Sequence, residues 1–112
     1  MALRTYIVKL TGTDGGAFNT VDVSIAGTDI YMTSTDGEVT WINKGTVLDT
    51  INPVSLFFSI YAINGTSWDI EIAIAGTAQI CYRGAGITGE KLISRQNKRV
   101  PDYSERKVEI TC

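Results

Sequence analysis

The side chains that most often carry out acid–base chemistry are scarce in this sequence. None of its 112 residues is a histidine, so the commonest general base and the commonest metal ligand are both missing. Catalytic arrangements that pair a histidine with a serine or a cysteine are therefore excluded. Paired carboxylates could still support glycoside hydrolysis, but the acidic residues fall at turns and outward strand positions, where no walled cleft is expected. We predict a protein that is not an enzyme and that uses no cofactor.

Residues 84–89 read GAGITG, which is the glycine spacing of a dinucleotide-binding loop. That motif lies between a strand and a helix in a βαβ unit, because the helix N-terminus binds the pyrophosphate. A strand is predicted before the motif, but no α/β pattern surrounds it. Glu90 also stands where a phosphate-binding loop has its lysine. We interpret the stretch as a flexible hinge.

Three aspartates follow a hydroxyl residue at predicted turns: Asp14, Asp29 and Asp36. Clustered acidic loops at one end of a β-sandwich can bind calcium through their oxygen atoms. Asp and Thr side chains also close turns by hydrogen-bonding to the backbone. We favour the turn interpretation, and the three aspartates remain as calcium candidates.

The net charge of −2 is distributed unevenly along the chain. Residues 1–82 carry three basic and eight acidic side chains, whereas 83–112 carry seven basic and four acidic ones. The basic segment includes Lys91, Arg95, Lys98 and Arg99. Nucleic-acid surfaces usually belong to domains that are basic as a whole, and the sequence pI here is about 5.0. We predict a solvated basic arm that docks on an acidic surface, and no nucleic-acid partner.

The pattern that must position these groups is that of β-strands. Apolar and polar residues alternate with period two up to residue 83, and turn residues interrupt them every eight to twelve positions. We predict strands near 3–11, 19–26, 28–33, 38–43, 53–63, 66–74, 77–83 and 106–111. The chain is then one domain over residues 1–112, an all-β antiparallel sandwich of jelly-roll or Greek-key type with seven or eight strands and a long irregular segment at 84–105.

The tetrapeptide IAGT occurs twice, at 25–28 and 74–77. In both copies it ends a stretch whose alternate residues are valine or isoleucine, and another strand is predicted after it. Glycine accepts the positive φ that a tight hairpin turn requires. We predict that Gly27 and Gly76 lie at hairpin turns with similar backbone geometry. The predicted inner faces carry Trp68, Ile70, Ile72, Leu56, Phe58, Ile60, Val21, Val23 and Ile25.

The strand predicted at 53–63 is apolar on both of its faces. One face carries Leu56 and Phe58, and the other carries Phe57, Tyr61 and Ile63. Soluble monomers rarely expose large apolar patches, so we expect something to cover the second face. The candidates are segment 84–105, a second subunit or a ligand, and we favour a second subunit.

The functional prediction is a non-enzymatic interaction or assembly module that forms a homo-oligomer through Phe57, Tyr61 and Ile63. The first alternative is a carbohydrate-binding, lectin-like module in which Trp41, Tyr31 or Tyr61 stacks on a sugar ring. The second is a sandwich that binds lipid at a membrane surface. The opening residues lack the continuous apolar core of a signal peptide, so we expect a cytoplasmic chain, or a mature secreted or virion-type one. Whether Cys81 and Cys112 pair is left open by their spacing.

Overall fold

In a computed structural model, the described part of the chain comprises residues 2–13, 15–43, 45–63, 65–76, 79–88 and 101–111. Within these ranges every regular element is a strand. The ten strands are β1 (Ala2–Gly12), β2 (Thr20–Ile25), β3 (Thr28–Ile30), β4 (Thr33–Ser34), β5 (Thr40–Ile42), β6 (Thr46–Thr50), β7 (Val54–Ile63), β8 (Ser67–Ile74), β9 (Ile80–Ile87) and β10 (Pro101–Ile110).

The strands form two antiparallel sheets that pack against each other. The six-stranded sheet has the order β4-β5-β1-β8-β9, with β6 also paired to β1, and the four-stranded sheet has the order β10-β7-β2-β3. The prediction of an all-β sandwich is therefore confirmed, although the strands are more numerous than the seven or eight predicted. β6 was missed because its sequence, TVLDT, is short and its apolar residues are adjacent rather than alternating.

The core fills the space between the sheets and follows the predicted alternation. Eight of the nine predicted inner residues are buried. Val21 is the exception, because it is only half-buried and packs at the margin of the core. Tyr6, Val8 and Leu10 of β1 supply the same face of the six-stranded sheet and are fully buried.

The two copies of IAGT form turns, as predicted, but the turns differ in length. Ile25 pairs directly with Thr28, so Ala26 and Gly27 alone make the first turn, with φ of 51° and 78°. Positive φ at both positions defines a type I′ hairpin turn. In the second copy Gly76 also has positive φ, at 81°, but the amide of Ile74 donates to the carbonyl of Gln79. The second turn is therefore longer by two residues.

The segment 84–105 is less irregular than predicted. β9 continues through Ile87, and β10 begins at Pro101, so the glycines of GAGITG that lie in the described chain belong to a strand rather than to a hinge. Gly84 pairs with Ile70 and Gly86 with Trp68. The predicted basic arm, which consists of Lys91, Arg95, Lys98 and Arg99, lies outside the described residues.

Cys81 occupies an irregularity in the pairing of β8 with β9, where Tyr82 pairs with Ile72 and Ile80 with Ala73. Its thiol is disulfide-bonded. The only other cysteine in the sequence is Cys112, which lies outside the described residues. No helix in the described ranges is long and apolar enough to cross a membrane.

Candidate ligand groove

A groove opens where the chain leaves the four-stranded sheet. β3 pairs with β2 only from Val23 to Ile25, and the chain then crosses to begin β4 in the other sheet. The first half of β2 therefore has no neighbour on that side within the described chain. The space beside it is a groove of about 680 Å³ that runs onto the outer face of the sheet. Val21 lines this groove, which explains why it is not fully buried.

Strand register arranges the side chains of the groove in two rows. In the first row, Ser59 of β7 lies between Asp22 of β2 and Glu105 of β10. Tyr31 follows Ile30, the partner of Val23, so it extends this row beyond Asp22. Because adjacent strands lie about 4.8 Å apart, the backbones at Asp22 and Glu105 are separated by about 10 Å across the sheet.

The second row lies two residues further along each strand, on the same face of the sheet. Ser24 pairs with Asp29 on one side and with Phe57 on the other, and Phe57 pairs with Lys107. All of these except Lys107 line the groove. The two rows thus bring together aromatic rings, hydroxyls and carboxylates on one surface.

Ser59 is the most informative member of this set. It is 6% exposed and lines the groove. A hydroxyl at the floor of a groove can both donate to and accept from a ligand. Asp22 and Glu105 on either side are exposed, and carboxylate oxygens accept hydrogen bonds strongly.

The aromatic groups of the groove are presented in different ways. Tyr31 is 81% exposed at the end where the chain departs, whereas Phe57 is half-buried between Ser24 and Lys107. Covering the face of an exposed aromatic ring with the apolar face of a ligand removes apolar surface from water, which is favourable. Tyr31 can therefore act as a platform, while Phe57 forms part of the wall.

The predicted interface residues all lie on the outer side of β7. Phe57 and Tyr61 are half-buried, and only Ile63, which is 52% exposed, is freely accessible. The row that contains Ser59, Asp22 and Glu105 separates Phe57 from Tyr61. The apolar surface expected here is therefore interrupted by charge.

The predicted sugar platform is not one surface. Trp41 pairs with Leu10, so its side chain faces the interior and packs at the margin of the core. Its indole Nε1 donates a hydrogen bond to the carbonyl of Glu38 at 2.8 Å. Tyr31 and Tyr61 remain on the outer side of the four-stranded sheet. Only Tyr31 lines the groove.

Two of the three calcium candidates, Asp29 and Asp36, lie in the described residues, and their surroundings differ. Asp36 closes a turn, since its Oδ1 accepts from the backbone amide of Thr40 at 2.8 Å and from the hydroxyl of Ser34 at 3.0 Å. The hydrogen bond from Thr40 holds the pKa of the Asp36 carboxyl below its ordinary value. Asp29 lines the groove, and Asp14 lies outside the described residues. Among the described residues no group of three His, Cys, Asp or Glu side chains could hold a metal ion.

Several residues of the groove were not singled out from the sequence, chiefly Asp22, Ser59 and Glu105. The outward position of Asp22 and Ser59 followed from the alternation of β2 and β7, whereas Glu105 fell in the segment predicted to be irregular and lies on β10. The proximity of the three residues depends on the pairing of strands that are distant in sequence. Comparison of the chain with protein families, with curated proteins and with solved structures finds no match.

Proposed function

We propose that the chain is a non-enzymatic binding module that holds a neutral or basic carbohydrate in the groove. The observation that carries this proposal is the pair of rows in which an exposed aromatic ring, a serine hydroxyl and carboxylates share one surface. The C–H face of a sugar ring is apolar and stacks on an aromatic ring. Its hydroxyls donate hydrogen bonds to carboxylates, and these bonds are stronger than those between neutral groups.

The charge of the groove limits the kind of carbohydrate. Its lining carries Asp22, Asp29 and Glu105, and the one described basic side chain next to it is Lys107, beside Phe57. Like charges that approach in this setting repel each other. Sialylated, sulfated or uronic-acid glycans are therefore expected to bind worse than neutral sugars or amino sugars.

Binding rather than hydrolysis is favoured by the exposure of the carboxylates. A glycosidase keeps one carboxyl group protonated, usually by burying it in an apolar site. Asp22, Asp29 and Glu105 are all exposed, so water solvates each of them. The groove offers hydrogen-bond acceptors without a buried acid.

A glycan array followed by titration calorimetry tests the proposal. Tyr31→Ala removes the platform and Asp22→Asn removes one charged acceptor, and each is expected to weaken binding about tenfold. Glu109→Gln is the matched control for charge, because Glu109 lies on the same outer face but accepts from Ser55 outside the groove. Equal losses in Asp22→Asn and Glu109→Gln, or binding confined to acidic glycans, would contradict the proposed site.

A further inference from the structure

The outer face of the six-stranded sheet carries most of the exposed aliphatic surface of the described chain. We call this surface the aliphatic face. Its side chains lie on four strands, and none of them was singled out from the sequence. They are Leu3 (74% exposed), Ile7 (36%), Ile42 (43%), Val47 (58%) and Ile80 (41%).

Strand register groups these side chains on one face, with Ile7 near its centre. Ile7 pairs with Ala73, which in turn pairs with Ile80. On the other side of β1, Val47 pairs with Thr5, one step along the same face. Side chains opposite each other on neighbouring strands lie about 4.5–5.5 Å apart and diagonal ones about 7–8 Å, so Ile7, Ala73 and Ile80 form an apolar row and Val47 lies diagonally from Ile7.

We propose that the aliphatic face binds the same face of a second copy of this chain. The face is four strands wide, because β5 and β6 lie one after the other along the same side of β1, followed by β8 and β9 on its other side. Its width is therefore about 19 Å, and its length along β1, from Leu3 to Thr11, is about 27 Å. The flat footprint is about 500 Å² before the projecting side chains are counted, so the interface is smaller than the roughly 800 Å² per partner of a standard protein interface and is expected to be correspondingly weak.

Charge distinguishes this face from the one predicted from the sequence. The outer side of the four-stranded sheet carries Asp22, Asp29, Glu105 and Glu109 against Lys107 among its described side chains. Two copies that met there would bring these carboxylates together. Electrostatic repulsion therefore disfavours a dimer formed through the four-stranded sheet.

The aliphatic face is more nearly balanced. Its described charges are Asp49, Asp69 and Glu71 against Lys9 and Arg83. Glu71 is already paired, since its Oε2 accepts from Arg83 Nε at 3.1 Å. A face with both signs of charge around an aliphatic centre can meet a copy of itself with opposite charges opposed across a two-fold axis. A membrane is a poorer match, because anionic lipids attract faces rimmed by basic residues.

Self-association would give the proposed binding function a second site. The groove lies on the four-stranded sheet, so two copies joined through their six-stranded sheets would present their grooves on opposite sides. This consequence rests on the proposed function, whereas the dimer does not. Two linked sites bind a multivalent surface more tightly than one.

Analytical ultracentrifugation over a range of concentrations tests the dimer. The wild-type mass is expected to rise towards twice the 12.2 kDa of one chain. Val47→Glu places a charge on the aliphatic face and is expected to raise the dimer Kd about tenfold or more. The matched control is Ile63→Glu, because Ile63 is similarly exposed, at 52% against 58% for Val47, but lies on the other sheet and among the residues predicted from the sequence.

The proposal requires that Val47→Glu weakens self-association and Ile63→Glu does not, with circular dichroism unchanged in both variants. Leu3→Glu must behave as Val47→Glu does. A wild-type chain that stays at 12.2 kDa, or equal effects of the two substitutions, would overturn the proposal. A stronger effect of Ile63→Glu than of Val47→Glu on self-association would also overturn it. The same holds if the wild-type chain is a monomer that binds phosphatidylcholine–phosphatidylserine vesicles and Val47→Glu abolishes this binding. Glycan binding by monomeric Val47→Glu is expected to persist, which separates a failed dimer from a failed groove.

Discussion

Replacement of Gly86 by alanine tests the packing at the β9 edge of the sandwich. A Cβ at Gly86 would lie 2.6 Å from Cζ2 and 2.9 Å from Cε2 of Trp68, and 3.0 Å from Nη2 of Arg106. Trp68 cannot retreat easily, because it is 1% exposed and its ring meets Phe58 edge-on at a centroid distance of 5.3 Å. The Arg106 guanidinium lies 5.3 Å from the centre of the same indole.

Two opposing terms set the expected magnitude. Exchanging glycine for alanine at a compatible backbone position stabilises a protein by about 0.4–1 kcal/mol through the unfolded state. Overpacking a closed core costs about 1–3 kcal/mol, and the contact at Gly86 is closer than ordinary packing permits. We therefore expect Gly86→Ala to lower the free energy of unfolding by about 1–2 kcal/mol.

Gly84→Ala is the matched control on the same strand and the same face. Its Cβ would meet Tyr82 at Oη (2.7 Å), Cε2 (3.0 Å) and Cζ (3.1 Å), but these atoms are the far end of a half-buried side chain, which can move aside. The expected change in stability is close to zero. Urea denaturation of both glycine variants, of Trp68→Phe and of the double variant Gly86→Ala, Trp68→Phe completes a double-mutant cycle, because phenylalanine lacks the ring edge that clashes but leaves a cavity of its own. A Gly86→Ala protein as stable as the wild type, or an equal cost of Gly86→Ala with and without Trp68→Phe, would refute the reasoning.

Three further predictions concern the core and the turns. Ile72 is fully buried, so Ile72→Ala is expected to cost about 2–5 kcal/mol in urea denaturation, and an unchanged midpoint would contradict the core assignment. Gly27 has φ of 78° with no atom within 4 Å of its Cβ position, so Gly27→Val is expected to destabilise by about 1–2 kcal/mol through the backbone alone. Gly27→Asn should be tolerated better, and equal losses in the two would contradict the type I′ assignment. The Asp36 carboxyl has a folded-state pKa below the ordinary 3.8, so its contribution to stability is complete above that value and is lost as pH falls through the folded-state pKa. Stability measured from pH 7 to pH 2 should fall less in Asp36→Asn than in the wild type, and parallel curves would count against this role of Asp36.

The sequence pattern predicted the sandwich and most of its core because alternation is a local signal. Ile70 and Ile72 must face the same way in any strand, and the apolar sides of two sheets have only each other to pack against. Val21 obeys the same alternation but borders the groove. Its partial exposure results from where β3 leaves the sheet, which the sequence of β2 does not encode.

The GAGITG stretch shows where a local pattern misleads. Glycine is rare within strands, so Gly84 and Gly86 predicted a hinge. In the structure they face inward, opposite Ile70 and Trp68, and the space that their side chains would occupy is filled by the rings of Tyr82 and Trp68. The size of a distant side chain explains these glycines, and that contact appears only once β8 and β9 are paired.

The location of a binding surface on a sandwich depends on which outward residues share a sheet. Alternation places Ile7 and Val47 outward just as it places Phe57 and Asp22 outward, and it does not distinguish one outer face from the other. Pairing does so, because it gathers Asp22, Asp29, Glu105 and Glu109 on one sheet and the aliphatic face on the other. A surface rich in hydrogen-bond acceptors favours a hydroxylated ligand, and a charge-balanced aliphatic surface favours a protein. The self-association predicted from the sequence thus remains a proposal, but its surface moves to the opposite sheet, and the charge on the four-stranded sheet is the physical reason.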